Sequence, residues 1–346
     1  VRFAQVLWSP STVATPSRQP ALTLFRRGRE SSGVELSVNY SLVKLTRRHS
    51  GNRTIGMNAH TGMDAELARH YIVRTMTAAE VPLAIEWAAN EGWNPGRDDA
   101  RCFRAADPGG FFVGELHGEP VASISAVAYD AHFGFIGLYI VRPEFRGKGL
   151  GLRLWQHAMD YLGGRNVGLD GVVAQQANYR KSGFQLAHRN IRFQGVAHGA
   201  PASAAITDLS TVPFDQLAAY DRRWFPAARA DFLKAWIAQP DVIALASIRD
   251  GLIGGYGVLR ACRQGRKIGP LFADDALTAE ELFDALLSRC ADETVSIDVP
   301  ESNAAAIAMA ERHGMSISFE TARMYTHAPP DISMARVFGI TSFELG

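Results

Sequence analysis

Residues 138–151 read Leu-Tyr-Ile-Val-Arg-Pro-Glu-Phe-Arg-Gly-Lys-Gly-Leu-Gly, an apolar run meeting a glycine-rich turn that opens the amphipathic segment Leu150–Leu162. A strand feeding a helix through such a turn restricts the fold more than any other stretch of the chain. Gly147, Gly149 and Gly151 let several backbone N–H groups converge without interference from a Cβ. The unpaired donors and positive dipole end of the following helix add to them, making an anion site suited to a pyrophosphate. Arg146 and Lys148 bring positive charge to the same turn. Two other phosphate loops do not fit. A dinucleotide-binding turn needs G-x-G-x-x-G, but Leu152 stands at the third glycine and the preceding strands read as hairpins. A nucleotide P-loop needs Gly-Lys followed by Ser or Thr, and the turn has none.

The surrounding elements follow from period and punctuation. Tyr71–Met76 reads as a strand, and Thr77-Ala-Ala-Glu80 as a capping box opening a helix through Asn90. Glu91-Gly-Trp-Asn-Pro-Gly96 breaks that helix, and a short polar helix is expected around Asp98–Ala105. Three strands joined by hairpin-sized turns come next, at Gly110–Leu116, Val121–Tyr129 and Phe133–Val141. After the Leu150 helix come a strand over Val167–Val173, a short helix into Gly183-Phe184 and a strand over Leu186–Phe193. Gly195–Ser203 has the composition of a linker. Beyond it the same order recurs. Helices at Phe214–Trp224 and Ala230–Ala238 precede strands at Val242–Ile248, Ile253–Ala261 and Lys267–Phe272. A helix over Thr278–Cys290, opened by Thr278, a strand over Thr294–Val299 and a helix ended by Gly314 follow, with Arg323–Thr326 closing the sheet. The recurrence implies duplication of one α+β unit.

Arg146-Gly-Lys-Gly-Leu-Gly151, following Val141-Arg-Pro-Glu-Phe145, resembles the R/Q-x-x-G-x-G/A motif of the GNAT superfamily of acyl-CoA N-acyltransferases. A second family signature, a Tyr four residues before Gly-Phe, is matched by Tyr179-Arg-Lys-Ser-Gly183-Phe184. The resemblance covers residues 71–194, with every element in the family order. The Glu91–Pro95 turn and the run Gln175-Gln-Ala-Asn-Tyr179 are similar to a two-domain subgroup whose second domain is a diverged copy. The expected fold is therefore α+β, a mixed and mostly antiparallel sheet flanked by helices, followed by a degenerate second domain.

The resemblance implies acetyl-CoA as co-substrate, no metal, and direct transfer of an acetyl group to the primary amine of a small molecule. Tyr139, Val141, Arg146, Gly147, Lys148, Gly149, Leu150 and Gly151 are the expected cofactor-binding residues. The strand at Ile136–Val141 should bend or bulge and leave main-chain groups free for pantetheine. Tyr179 would protonate the departing thiolate, since a phenol with pKa near ~10 carries its proton at neutral pH. Glu91 is the expected base, with His117, Asp130 and His132 as other candidates or a water chain in their place. Trp93, Asn94, Gln175 and Gln176 are expected to bind substrate. Two alternatives stand beside this reading: a non-catalytic acyl-CoA sensor, and an enzyme acetylating a protein's lysine or N-terminus. In the second half Asp274 and Asp275 stand where a pyrophosphate would sit, and Ala310 stands at the tyrosine position, so that half is expected to bind no CoA.

Composition bounds the remainder. The 346 residues suggest about two domains. With 36 basic and 35 acidic side chains, there is no reason to expect a nucleic-acid partner, and no apolar run is long enough for a membrane span. Three cysteines, Cys102, Cys262 and Cys290, imply neither a disulfide framework nor a zinc site, and point to the cytoplasm. Residues 1–62 hold nine basic and two acidic residues without periodicity. The expected division is an extension over 1–69, disordered or dispensable, a catalytic domain over 70–198 and a diverged domain over 199–346. Cofactor binding is expected to reside within residues 63–198.

Overall fold

A computed structural model describes residues 65–198, 203 and 205–346. The expected leader lies outside them up to residue 64, but Ala65–His70 forms a helix, α1. Leu67 of α1 packs beside Tyr71, and Arg153 Nη1 donates to the Ala68 carbonyl at 3.1 Å, which ties α1 to the fold.

The first half runs β1 (Tyr71–Thr75), α2 (Val81–Asn90), α3 (Asp99–Ala106), β2 (Phe111–Leu116), β3 (Glu119–Ala128), β4 (Phe133–Val141), α4 (Leu150–Leu162), β5 (Asn166–Val172), α5 (Gln176–Lys181) and β6 (Gln185–Val196). The second runs β7 (Ile206–Asp208), α6 (Phe214–Trp224), α7 (Ala230–Ile237), β8 (Ile243–Arg249), β9 (Leu252–Ala261), β10 (Arg266–Ala273), α8 (Ala276–Ser288), β11 (Thr294–Pro300), α9 (Ala304–Arg312), β12 (Ser316–Tyr325) and β13 (Val337–Gly339). Glu80 reaches back to the Thr77 N–H at 2.8 Å, as a capping box does. The expected opening of α8 at Thr278 needs correcting. Asp275 caps that helix, its carboxylate accepting from Thr278 N at 2.7 Å.

All the described strands join one sheet, in the order β1-β2-β3-β4-β5-β12-β6-β11-β10-β9-β8-β7, with β13 added beside β10. The order is a near palindrome. Each half lends its last long strand to the other: β12 lies against β5, β6 lies against β11, and the two lent strands pair with each other. Closing strand β12 therefore spans ten residues rather than the four expected. A chain cut at the linker would leave β5 with an open edge.

Burial follows the same plan. One face of the first half packs on α4 through Phe112, Ile124, Ile136 and Leu154, and the matching face of the second packs on α8 and α9 through Leu282, Leu286 and Ile297. The opposite faces share a single core, in which Ile85, Phe103, Val113 and Ile140 meet Tyr220, Trp236, Tyr256 and Phe272. Polar links reinforce it: Arg260 Nε lies 3.0 Å from Asp99 Oδ1, and Cys102 Sγ is 3.3 Å from the Ala235 carbonyl. All three cysteines are buried and free.

Candidate active site

The site begins where β4 and β5 part. They pair in parallel from Phe133↔Asn166 to Ile136↔Leu169 and no further, although β4 continues to Val141. Leu138 adopts a left-handed backbone with φ 48°, and the β3–β4 register shifts between Ser123 and Ser125. This bulge resets the alternation of side chains. Ile136, then Tyr139 and Val141, face α4, while Leu138 and Ile140 face the shared core. Arg142 N donates to Val121 O, so Ala122 and Val141 form a non-hydrogen-bonded pair and Val141 turns its own main-chain groups away from β3, toward the opening beside β5. The expected bend of β4 is thus present.

The turn after β4 has the backbone its glycines were chosen for. Gly147 and Gly149 have φ of 76° and 81°, and Gly149 is the N-cap of α4. Gly151 serves closeness instead: a Cβ there would lie 2.6 Å from Tyr139 Oη and 2.9 Å from Val141 Cγ2. Leu150 is fully buried, which seats the first turn of α4 against the sheet. Lys148 Nζ rests 5.2 Å from the centre of the Phe145 ring. Arg146 donates through Nε to Val141 O at 2.7 Å and forms an ion pair with Glu91.

Tyr139, Trp155 and Tyr179 line one side of the opening, with ring centres 5.4 Å apart for the first pair and 5.7 Å for the second. Tyr179 lies over Gly171 so closely that a Cβ at Gly171 would strike its ring. Its hydroxyl hydrogen-bonds to no described residue, and burial pushes its pKa up to about 12. Gln175 accepts from Asn178 Nδ2 at 2.7 Å, whereas Gln176 Nε2 is buried without a partner.

Several expected site residues are occupied elsewhere. Glu91 caps the C-terminal end of α2 and forms an ion pair with Arg146 of the turn. Asn94 binds Gln264 with both ends of its amide, at 3.0 and 2.9 Å, and its carbonyl accepts from Lys267 Nζ at 3.0 Å. It latches the turn to the second half. Trp93 packs on the shared core while its carbonyl accepts from Arg192 at 2.9 Å. His117 and His132 are exposed in hairpin turns, and Asp130 caps its own turn through the His132 and Phe133 N–H groups at 2.7 and 2.8 Å.

On the shared-core side of the opening lie Arg323 and Tyr325 of β12, from which a reach toward substrate is expected, with partners that no local pattern shows. Asp170 of β5, its side chain fully buried, pairs with Arg323 of β12 at 2.6 Å, and Asn190 of β6 donates to it at 2.8 Å. Next to them a narrow cavity is walled by Phe133, Phe225, Tyr325, His188, Arg323 and Thr341. Burial, helped by Arg323, lowers the His188 pKa to about 4, so the ring is neutral at physiological pH. Asp170 and Arg323 sit 153 residues apart in sequence, and no local pattern joins them. Glu280, Asp284 and His313 gather on α8 and just after α9 with possible ligand atoms within 4.8 Å of one another. His313 Nε2 lies 2.8 Å from Glu280, and Arg312 also pairs with that carboxylate, which accounts for the cluster as ion pairing.

Comparison with known proteins agrees with this geometry. Residues 80–184 match the acetyltransferase (GNAT) family, and residues 217–339 match a second acetyltransferase (GNAT) domain model. A holothin acyltransferase from Pseudoalteromonas sp. (strain SANK 73390) is 33% identical over 265 residues, covering 75% of this chain and 90% of that protein. The chain is a GNAT-family acyltransferase. Its two halves are both GNAT domains, and the α+β fold is the GNAT fold. Among solved structures, a candidate acetyltransferase from Pyrococcus horikoshii superposes with a TM-score of 0.70 at 19% identity, over 80% of this chain and 96% of that one. A tandem GNAT protein from the clavulanic acid biosynthesis pathway gives 0.54 at 14% identity, over 75% and 99%. At such identities the two structures speak to the fold. No helix among the described residues is long and apolar enough to cross a membrane.

Proposed function

We propose that this GNAT acyltransferase moves an acetyl group from acetyl-CoA to the primary amine of a small molecule, with Tyr179 as general acid. The observation that carries this reading is the opening between β4 and β5, floored by Tyr179 and headed by the Gly147–Gly151 turn. The relative named for holothin supports a small-molecule acceptor. Bound acetyl-CoA supplies an activated thioester. The N–H groups at the start of α4 and the left-handed glycines suit its pyrophosphate, Arg146 and Lys148 add charge, and the freed β4 main chain suits its pantetheine arm. The proposed domain limits are 70–198 and 199–346, with β6 and β12 exchanged between the two parts.

Tyr179 keeps its proton across the neutral range because burial raises its pKa, and it can deliver that proton as charge develops on sulfur. Tyr179→Phe removes the hydroxyl and keeps the ring on Gly171 and Trp155. Turnover of acetyl-CoA against a panel of amines should fall about 10²–10⁴-fold. Calorimetric affinity for acetyl-CoA should hold. A variant with full activity would remove Tyr179 from the mechanism, and wild-type protein that binds acetyl-CoA but acylates no amine would favour a sensor.

A further inference from the structure

The residues after β13 return to the first half and lie across β4. A Cβ on Gly137 would collide with the Glu344 carbonyl, and the Tyr129 hydroxyl donates to the Leu345 carbonyl at 2.9 Å. Gly137 immediately precedes the left-handed Leu138, where β4 and β5 part. The tail thus places Glu344 on the shared-core side of the opening. Its residue is 3% exposed, and neither carboxylate oxygen has a hydrogen-bond partner.

The charges around it make that vacancy informative. Arg192 is paired with Asp298 at 2.6 Å, and Arg260 with Asp99 at 3.0 Å, although Arg260 Nη1 is buried without a partner of its own. Lys267 donates to the Asn94 carbonyl. The Cys262 thiol lies beside Lys267 and Arg260, and burial raises its pKa. Three cations thus face three carboxylates, and only Glu344 lacks a direct contact. Leaving a buried carboxylate unpaired is costly, which a purely structural residue would not explain.

We propose that Glu344 receives the proton of the incoming amine. The inference rests on the acyl-transfer reading above. The ammonium gives one proton to Glu344, the freed nitrogen attacks the thioester carbon, and the C–S bond breaks. The Tyr179 proton passes to sulfur, and the second nitrogen proton, released as the amide forms, restores the tyrosine through solvent. The sum is amide, thiol and one proton, which leaves Glu344 for water. Burial, opposed by Lys267, Arg192 and Arg260 and assisted by Asp99, holds the Glu344 carboxyl above its ordinary range, which strengthens it as a base.

The test compares two acceptors of nearly equal size in the intact chain. Methylamine is protonated near neutral pH, whereas hydroxylamine is already neutral there. Glu344→Gln should lower kcat/KM for methylamine by about 10²-fold or more, move the acidic limb of its pH profile up to the amine's own ionisation, and cost hydroxylamine less than about tenfold. Glu344→Gln with Lys267→Met keeps the buried charge balanced and should show the same split if the single variant folds poorly. Equal losses for both acceptors, or an unchanged pH profile, would overturn the role of Glu344. Wild-type protein idle with both probes and with the amine panel would instead overturn the acyl-transfer reading beneath it.

Discussion

β4 and β10 occupy matching places in the two halves, and each carries Ile-Gly at the point where parallel pairing stops. In β4 the pairing with β5 ends at Ile136↔Leu169, and in β10 the pairing with β11 ends at Ile268↔Ile297. Each pair then opens, but the openings meet different fates. Beside β4 no described strand enters. Beside β10 the chain's own β13 pairs with Leu271 and Phe272, and Ile340 N donates to the Asp298 carbonyl of β11 at 2.9 Å. β13 thus takes the course that a pantetheine arm would take by strand addition. Degeneration of the second half is therefore more than a lost glycine turn: its opening is filled, and the filling segment leads on to the first opening. The second unit thus supplies a wall and a tail to its twin.

Cutting the chain would break this comparison most severely. A fragment of residues 63–198 lacks β12, and its β6 lacks β11. The expectation that cofactor binding resides in this fragment alone gives way to one in which it fails to fold as a monomer, while co-expression with residues 199–346 restores a soluble complex. Native-like amide dispersion in the isolated fragment would show that the strand exchange is dispensable.

The next test asks whether one opening or two take acetyl-CoA. Calorimetry should give one molecule per chain, and Gly149→Asp should abolish binding. Asp tolerates the left-handed backbone better than most residues, so the loss would report the negative charge at the turn. Two sites per chain, or binding that survives the substitution, would erase the distinction between the halves.

The mildest test uses a pair of ion bridges that the duplication preserved. Asp170–Arg323 spans β5 and β12, Asp298–Arg192 spans β11 and β6, and both sit directly across their strands. Burial works to raise the Asp298 carboxyl, but the Arg192 guanidinium more than offsets it and holds it low. Asp170→Ala and Asp298→Ala should each lower stability to denaturant by about 3–5 kcal/mol, the usual effect of orphaning a buried partner. Only Asp170→Ala should also reduce kcat/KM at a temperature where both variants are folded. Equal kinetic effects would mean that the second pair also serves the site.

Much of this architecture was written locally. Phe133–Val141, Leu150–Leu162 and Phe214–Trp224 coincide end to end with the elements expected from period and punctuation. The left-handed glycines of the turn and the tyrosine before Gly183 were equally visible, because each depends on neighbours within a turn or two. The loop that holds Glu91 and Asn94 is legible in the sequence, but their partners Arg146 and Gln264 are not, since they lie 55 and 170 residues away. Strand β13, three residues long, offers no period to detect.

The amino-acid sequence by itself determined the GNAT unit, its duplication and the left-handed glycine turn that opens α4, since propensity, glycine geometry and hydrophobic period act over short distances. Tertiary structure alone decided that the two units exchange β6 and β12, that β13 fills one opening, and that Glu344 comes to rest beside the other. Those outcomes turn on which strand edge finds which partner and where a buried charge finds its counter-charge. Both are settled by the competition among distant contacts, which no window along the chain contains.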